Sequence, residues 1–336
     1  MKIVFYINVL GYGGAERVIT NLANQFSLKG NETILITSYK LQTEYTVDSL
    51  VRRIYLYEDE LKGGFIKRNI NYTMQLRRII KKLKPDIIVS FMAEPNFRAL
   101  LASFALPIKT VLSVRNMPEK EYPGKLSGIA RQLFKASDGI VFQTYDAQQW
   151  FPKSIRKKSQ IIYNQVDKKF YLNATSSGKK GIVNVGRLTA QKNQKHLILA
   201  FNQIKNLVDD NLYIYGEGPA RSELEKCIKE LELESRVFLM GATSKVEMEL
   251  IKYRLFVLSS DYEGMPNCLM EAMAAGLACV STDCPCGGPK ELFGIEGKKF
   301  LTRCSDEVAL ATTMLDVYKR QSLHRGASEA GGLLCI

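Results

Sequence analysis

Histidine is almost missing from this chain of 336 residues: there are two, and none precedes His196. A long apolar run is missing as well. The uncharged stretch Ala99–Ile108 is too short to span a bilayer. The opening MKIVFYINVLGYGG has too few apolar residues before its first glycine to read as a signal peptide. Seven cysteines fall at no repeating spacing. The CPC corner, Cys284 and Cys286 with Cys279 nearby, has neither histidines nor a second cysteine pair at ligand spacing. It reads as inert thiols with no metal, in a reducing cytosol. The third glycine of a dinucleotide fingerprint is also lacking. In GYGGAER, Glu16 stands in its place, and in YGEGPARSELE the pattern is broken by Pro219 and Arg221. A nicotinamide enzyme is disfavoured.

What is present is enough apolar residue, 46%, to build buried cores. The length exceeds one ordinary core and predicts about two domains. Charge is divided unevenly. Residues 1–170 hold 27 Lys and Arg against 14 Asp and Glu, while the remainder holds 20 of each, so the whole net charge of +13 lies in the first half. That half should meet an anionic partner.

Strands and helices alternate along the chain. KIVFYINVL, ETILITSY, DIIVSF, KTVLSVRN, DGIVFQT and SQIIYN read as buried strands of a first series, with helices at GGAERVITNLANQFSLKG and MQLRRIIKKLK. A second series runs through GIVNVGRL, NLYIYGEG, RVFLMG, LFVLSS and LACVST. The polar stretch around residues 167–180 reads as a linker. The expected fold is α/β: two doubly wound, Rossmann-like domains facing across a cleft, residues 1–166 and 181–315, with ligands at the carboxyl ends of the strands.

The loops at those ends carry the candidate chemistry. After the first strand of the second domain, Gly186 permits close backbone approach, and Arg187 and Lys192 offer a fork and a point charge suited to a diphosphate. The plain alternative is two solvated surface charges. Gly216 suits a tight turn under a nucleotide. In EGMPNCLMEAMAAG, Glu263 lies in the turn after LFVLSS, Pro266 is expected as the first helical residue, and amides from Gly264 through Met265 to Asn267 should face the cleft with the positive end of the helix dipole. Glu271 follows on the same helix, placed to accept two ribose hydroxyls. The alternative is one capping and one core-edge glutamate.

These pieces, taken in order, resemble the retaining glycosyltransferases of family four, which have the GT-B fold. The likeness covers about residues 1–315 and rests on GGAER, VGRL followed by QKN, GEGP, EGMPNCLMEAMAAGLACVST and GGPKEL. It implies that Arg187 and Lys192 hold the donor diphosphate, Glu271 the ribose and Glu263 the donor sugar. Gly13 and Gly14 would lie near the diphosphate or the acceptor. The donor would be a nucleotide-sugar, UDP-sugar favoured, carrying a hexose or N-acetylhexosamine. No metal or other cofactor is implied, because the two cations take that place. Many relatives have a histidine in the loop that here reads SVRNMP. Arg115 and Asn116 are the expected substitutes, with Glu94 also on the acceptor side.

The stretch from Lys62 to Lys84 has eight basic residues and no acid, and PKSIRKKS adds four more basic residues. With Phe65, Ile66 and Met74 among them, this reads as contact with an anionic membrane surface. Nucleic acid fits less well, since no recognition motif is present. The resulting expectation is a cytoplasmic enzyme, peripheral on the inner face of the plasma membrane, that glycosylates a lipid-linked saccharide in surface polysaccharide assembly. The alternatives are a soluble transferase on a small or protein acceptor, and a non-catalytic nucleotide-sugar-binding partner of another transferase.

Beyond Leu315 no period is evident, and Asp316–Gln321 match what one reading frame of a common sequencing-adapter end encodes. Residues 316–336 are therefore expected to be a non-native tail after a truncated second domain. Ser305 is expected to cap the last helix.

Overall fold

The computed structural model describes residues 1–11, 13–172 and 179–327. Two compact units divide at Asn164 and Gln165.

The first unit is a sheet of seven parallel strands: β1 Lys2–Ile7, β2 Glu32–Thr37, β3 Arg52–Tyr55, β4 Ile87–Phe91, β5 Lys109–Ser113, β6 Gly139–Phe142 and β7 Ser159–Ile161. Their order is β3-β2-β1-β4-β5-β6-β7. Successive side chains of β1 go to opposite faces, as the pleat requires. Val4 and Tyr6 pack with Leu76, Ile80 and Ala99 on one face, and Ile3 and Phe5 with Ile19 and Ala23 on the other. Helices on both faces are why β1 is a nearly continuous apolar run. Two features went unforeseen: β3, whose RRIY carries charge, and the early start of the helix Phe65–Leu83, which begins nine residues ahead of MQLRRIIKKLK.

The second unit repeats the plan with β8 Ile182–Val185, β9 Leu212–Tyr215, β10 Val237–Gly241, β11 Leu255–Leu258, β12 Ala278–Thr282 and β13 Leu301–Thr302, ordered β10-β9-β8-β11-β12-β13. Ile182, Ile214, Leu255 and Val257 face helices on one side. Val183, Tyr215, Phe256 and Leu258 face Leu269, Ala272 and Phe293 on the other. In both units the chain reverses its direction of winding beside the first strand, between β1 and β4 and between β8 and β11. Loops at such a reversal diverge and leave a crevice at the carboxyl ends.

Three boundary expectations are corrected. Part of the expected linker is helical, Lys168–Leu172, because Phe170 is fully buried against the second unit's core; residues 173–178 lie outside the described residues. The last helix, Glu307–Ala327, does not stop near Leu315. Val317 and Tyr318 stand three and four residues beyond Met314, on its buried stripe, and Tyr318 also lies under the Arg254 guanidinium, 4.9 Å from the ring centroid. The expectations for residues 328–336 fall outside the described residues. The cap is Asp306 rather than Ser305: its carboxylate accepts the Ala309 amide at 2.9 Å.

Candidate active site

The reversal between β8 and β11 is where the second unit gathers its charged residues. Leaving β8, the chain passes Gly186 and Arg187, makes a 3-10 turn at Ala190–Lys192, and enters the helix Gln194–Ile204. Asn193 makes that entry in the left-handed region, φ 43°. Its side chain accepts the His196 amide at 3.2 Å and donates to Asp261 Oδ1 at 2.8 Å. Asp261 belongs to the loop after β11, so the cap of one helix also ties the two loops together. Further bonds tighten the seam. The Asp261 amide donates to the Gln191 carbonyl at 2.9 Å, Gln191 Nε2 to the Tyr262 carbonyl at 2.9 Å, and Ser259 Oγ to the Lys192 carbonyl at 3.0 Å.

This seam sets Lys192 Nζ on Glu263 Oε1, the same oxygen that accepts Ser260 Oγ at 2.6 Å. The lysine side chain is 16% exposed and the glutamate 7%. Burial pushes the Lys192 pKa down, but the adjoining Glu263 carboxylate more than offsets that, and the ammonium is held above the ordinary lysine value. Lys192 is therefore a fixed cation at any physiological pH. Arg187 differs from it in being exposed, and among the described residues its guanidinium has no acidic partner.

Glu271 is buried in the second turn of the helix Asn267–Ala274. The charges of Lys192, Glu263 and Glu271 all act on the Cys268 thiol, which burial pushes up to about 12. The two acids of EGMPNCLMEAMAAG thus converge on one spot from a loop and a helix. Pro266 is the N-cap of this helix, not its first residue: its carbonyl accepts the Leu269 and Met270 amides at 3.2 Å. Among the described residues the amides of Gly264 and Met265 have no acceptor, whereas Asn267 is engaged.

Two glycines here are backbone requirements. A Cβ on Gly216, φ 143°, would collide with the Gly186 carbonyl, and one on Gly288 with the Gly264 carbonyl. GEGP and GGPKEL therefore brace the two site loops from either side.

The first unit spends its charges differently. Gly13 caps the helix Gly14–Leu28 with no side-chain bond, and the Glu16 carboxylate folds back over it. Glu94 pairs with Arg98, a residue the sequence reading missed. Arg98 is 3% exposed. It reaches Asn69 Oδ1 at 2.7 Å, Asn8 Oδ1 at 2.8 Å and Ser38 Oγ at 2.9 Å, and it lies over the Tyr72 ring at 4.7 Å. An arginine four residues after Glu94 on a buried helix face was the available signal. Arg115 is bonded to Asn164 and stacked on Phe91 at 4.5 Å, and burial lowers its pKa to about 9. The Asn116 carboxamide oxygen accepts the next amide, Met117 N, at 2.9 Å. Glu121, also missed, has both carboxylate oxygens buried without a full hydrogen bond, and burial lifts its pKa to about 7.

Two doubly wound parallel sheets define the two-domain Rossmann-like class. Residues 12–170 match the Glycosyltransferase Family 4 model and residues 167–332 the model of Glycosyl transferases group 1. The chain belongs to glycosyltransferase family four and has the GT-B fold. It is 28% identical, over 98% of its length and 94% of the relative's, to the N-acetylgalactosamine-N,N'-diacetylbacillosaminyl-diphospho-undecaprenol 4-alpha-N-acetylgalactosaminyltransferase of Campylobacter jejuni. It is 26% identical, over 93% of its length and 87% of the relative's, to an alpha-1,4-N-acetyl-D-galactosaminyltransferase of the same organism named for a diNAcBac-PP-undecaprenol substrate. Among solved structures, Anabaena HepE in complex with UDP and glucose superposes with a TM-score of 0.75 at 17% identity, covering 98% of each chain.

Proposed function

We propose that this glycosyltransferase moves a hexose or N-acetylhexosamine from a UDP-sugar to a lipid-linked saccharide, with retention, at the cytoplasmic membrane face during surface polysaccharide assembly. The observation that carries the reading is the Lys192–Glu263 pair beside the unpaired Arg187, at the carboxyl-end crevice of the second unit. The undecaprenol-linked substrates in the names of the Campylobacter relatives, and the UDP bound by the Anabaena protein, support the acceptor and the donor.

On this reading Arg187 supplies a fork to the diphosphate and Lys192 a point charge, together stabilising the negative charge that builds as the sugar–phosphate bond breaks. Glu263 holds Lys192 in place and accepts donor-sugar hydroxyls with its remaining lone pairs, and Glu271 accepts the ribose hydroxyls. The Gly264 and Met265 amides add a fixed partial positive charge at the same end. The acceptor hydroxyl attacks on the face the phosphate leaves, and the departing phosphate oxygen takes its proton. The protein's contribution is then position and field, with neither a metal nor a histidine base.

The test is a panel of UDP-glucose, UDP-galactose, UDP-GlcNAc and UDP-GalNAc with an undecaprenyl-diphosphate-linked disaccharide, products read by mass spectrometry and anomeric configuration by NMR. One α-linked product from an α-donor is expected. A β-linked product would end the retaining reading. Failure to bind UDP and to transfer from any donor would end the whole proposal.

A further inference from the structure

We propose that the helix Phe65–Leu83 is a membrane-docking surface, with the apolar side chains of its N-terminal half entering an anionic bilayer and the cations of its C-terminal half lying on the headgroups. The proposal rests on the reading above only in that a lipid-linked acceptor places the enzyme at a membrane.

The helix buries Tyr72, Leu76 and Ile80 against the first unit's core. On the opposite face, side chains four apart form one row: Ile66, Ile70, Met74, Arg78 and Lys82. Its first three members are 74%, 52% and 52% exposed, and Phe65 beside them is 54% exposed. The row changes from apolar to cationic midway. Lys67 and Lys81 flank it, and among the described residues none of Lys67, Arg78, Lys81 and Lys82 has an ion-pair partner. Other cations of the helix are already in use. Arg68 pairs with Glu60, and Arg77 holds the Ala102 and Phe104 carbonyls at 2.7 and 2.8 Å. Phe104, whose carbonyl Arg77 holds, is itself 71% exposed.

The occupant must therefore be anionic at its surface and apolar beneath. A second copy of this helix would set like charges face to face. A nucleic acid would satisfy the cations but leave three large aliphatic side chains in water. An anionic lipid bilayer satisfies both, and a helix lying in the interface is the usual way to present such a face. No described helix is long and apolar enough to cross a membrane, so docking by a face is the available mode among the described residues.

The test is co-sedimentation of the full chain with vesicles of phosphatidylcholine and phosphatidylglycerol, 3:1 as the chosen composition, against phosphatidylcholine alone. Wild type should bind the anionic vesicles, and more weakly at high salt. Arg78→Gln/Lys81→Gln/Lys82→Gln should lower that affinity about a hundredfold, since each cation near the surface counts for roughly fivefold. Ile66→Ser/Ile70→Ser/Met74→Ser keeps every charge and should still lose about tenfold or more. Arg77 is left alone because it holds the neighbouring helix. Both variants should keep the wild-type thermal shift with UDP, which shows that they fold. Equal binding to neutral vesicles, or wild-type binding by the serine variant, would overturn the proposal. So would a concentration-dependent dimer that the variants abolish while vesicle binding is absent. Vesicle binding by a chain that binds no UDP would support the docking surface and sink the transferase reading.

Discussion

In the second unit, charged residues at the strand ends are gathered by loop-to-loop bonds around one spot, and Arg187 there has no acidic partner among the described residues. In the first unit, residues at the equivalent strand ends are engaged by their own unit: Glu94 with Arg98, Arg98 with β1, β2 and a neighbouring helix, Arg115 with Asn164 and Phe91. The same sheet order serves both. The difference lies in whether the charge at the crevice is balanced inside the protein or left to be balanced by a ligand.

The largest effect should come from breaking the gathered site. Lys192→Ala removes a leaving-group cation and strands Glu263, so turnover should fall by roughly 100- to 1000-fold, about 3–4 kcal/mol of barrier. Stability should fall as well, because a nearly buried carboxylate loses its partner. Arg187→Ala should cut turnover comparably yet leave the melting temperature unchanged, since that side chain is exposed and unpaired. Steady-state kinetics with thermal unfolding separates the two. Equal stability losses in both variants would erase the distinction drawn between them.

Next is the first unit's internal network. Arg98→Ala leaves Asn69, Asn8 and Ser38 short of one partner and should cost about 2–4 kcal/mol, confined to that unit, with little of it from Glu94, whose side chain is 40% exposed. Urea unfolding followed by two probes should show one early transition, while UDP binding in the other unit persists. Loss of UDP binding at low urea would show that the units are not energetically separate.

The two units were not equally legible. Eleven strands could be read from apolar runs, because a sheet covered on both faces makes its strands continuous apolar segments. β3 could not, because Arg52 and Arg53 interrupt its apolar pattern. Arg187, Lys192, Glu263 and Glu271 could be singled out because loop chemistry at strand ends is local in sequence, and the fold brings Lys192, Glu263 and Glu271 together. Asn193, which ties the two site loops together, was not found, since its partner Asp261 is 68 residues away and only the fold brings them together. Arg98 was missed for the same reason: apart from Glu94, four residues away, its hydrogen-bond partners Asn69, Ser38 and Asn8 are 29 to 90 residues distant. The helix beyond Leu315 was lost because the two buried residues that continue its stripe sit among polar neighbours.

A smaller effect concerns acid and base. Burial lifts the Glu121 pKa to about 7, so the folded first unit holds this proton more tightly than the unfolded chain. A raised carboxyl pKa stabilises the fold while the group is protonated. That contribution is lost as pH rises from about 4.5 toward and through 7, by roughly 2–3 kcal/mol. Glu121→Gln should remove this slope, raising the melting temperature at pH 8 and changing little at pH 5. A variant with the wild-type slope would show that Glu121 is not the group responsible. Glu121 belongs to the first unit, so its slope should appear in that unit's transition.

The smallest effect tests how helices begin in the two units. The long helices of the first unit, Gly14–Leu28 and Phe65–Leu83, enter through glycines with no side-chain cap, while in the second unit Asn193 and Asp306 cap theirs. Asp306→Ala should cost about 1 kcal/mol, the usual loss for an aspartate cap. Ser305 gives a sharper test, because the two assignments differ in sign there. If Ser305 were the cap, replacing it with glycine would cost a few tenths of a kcal/mol. Its backbone is left-handed instead, φ 58°, where a Cβ is strained. Ser305→Gly should therefore stabilise the second unit by up to about 1 kcal/mol. Thermal melts of the two single variants would decide it. A loss at Ser305→Gly with no change at Asp306→Ala would return the cap to Ser305 and remove this contrast between the units.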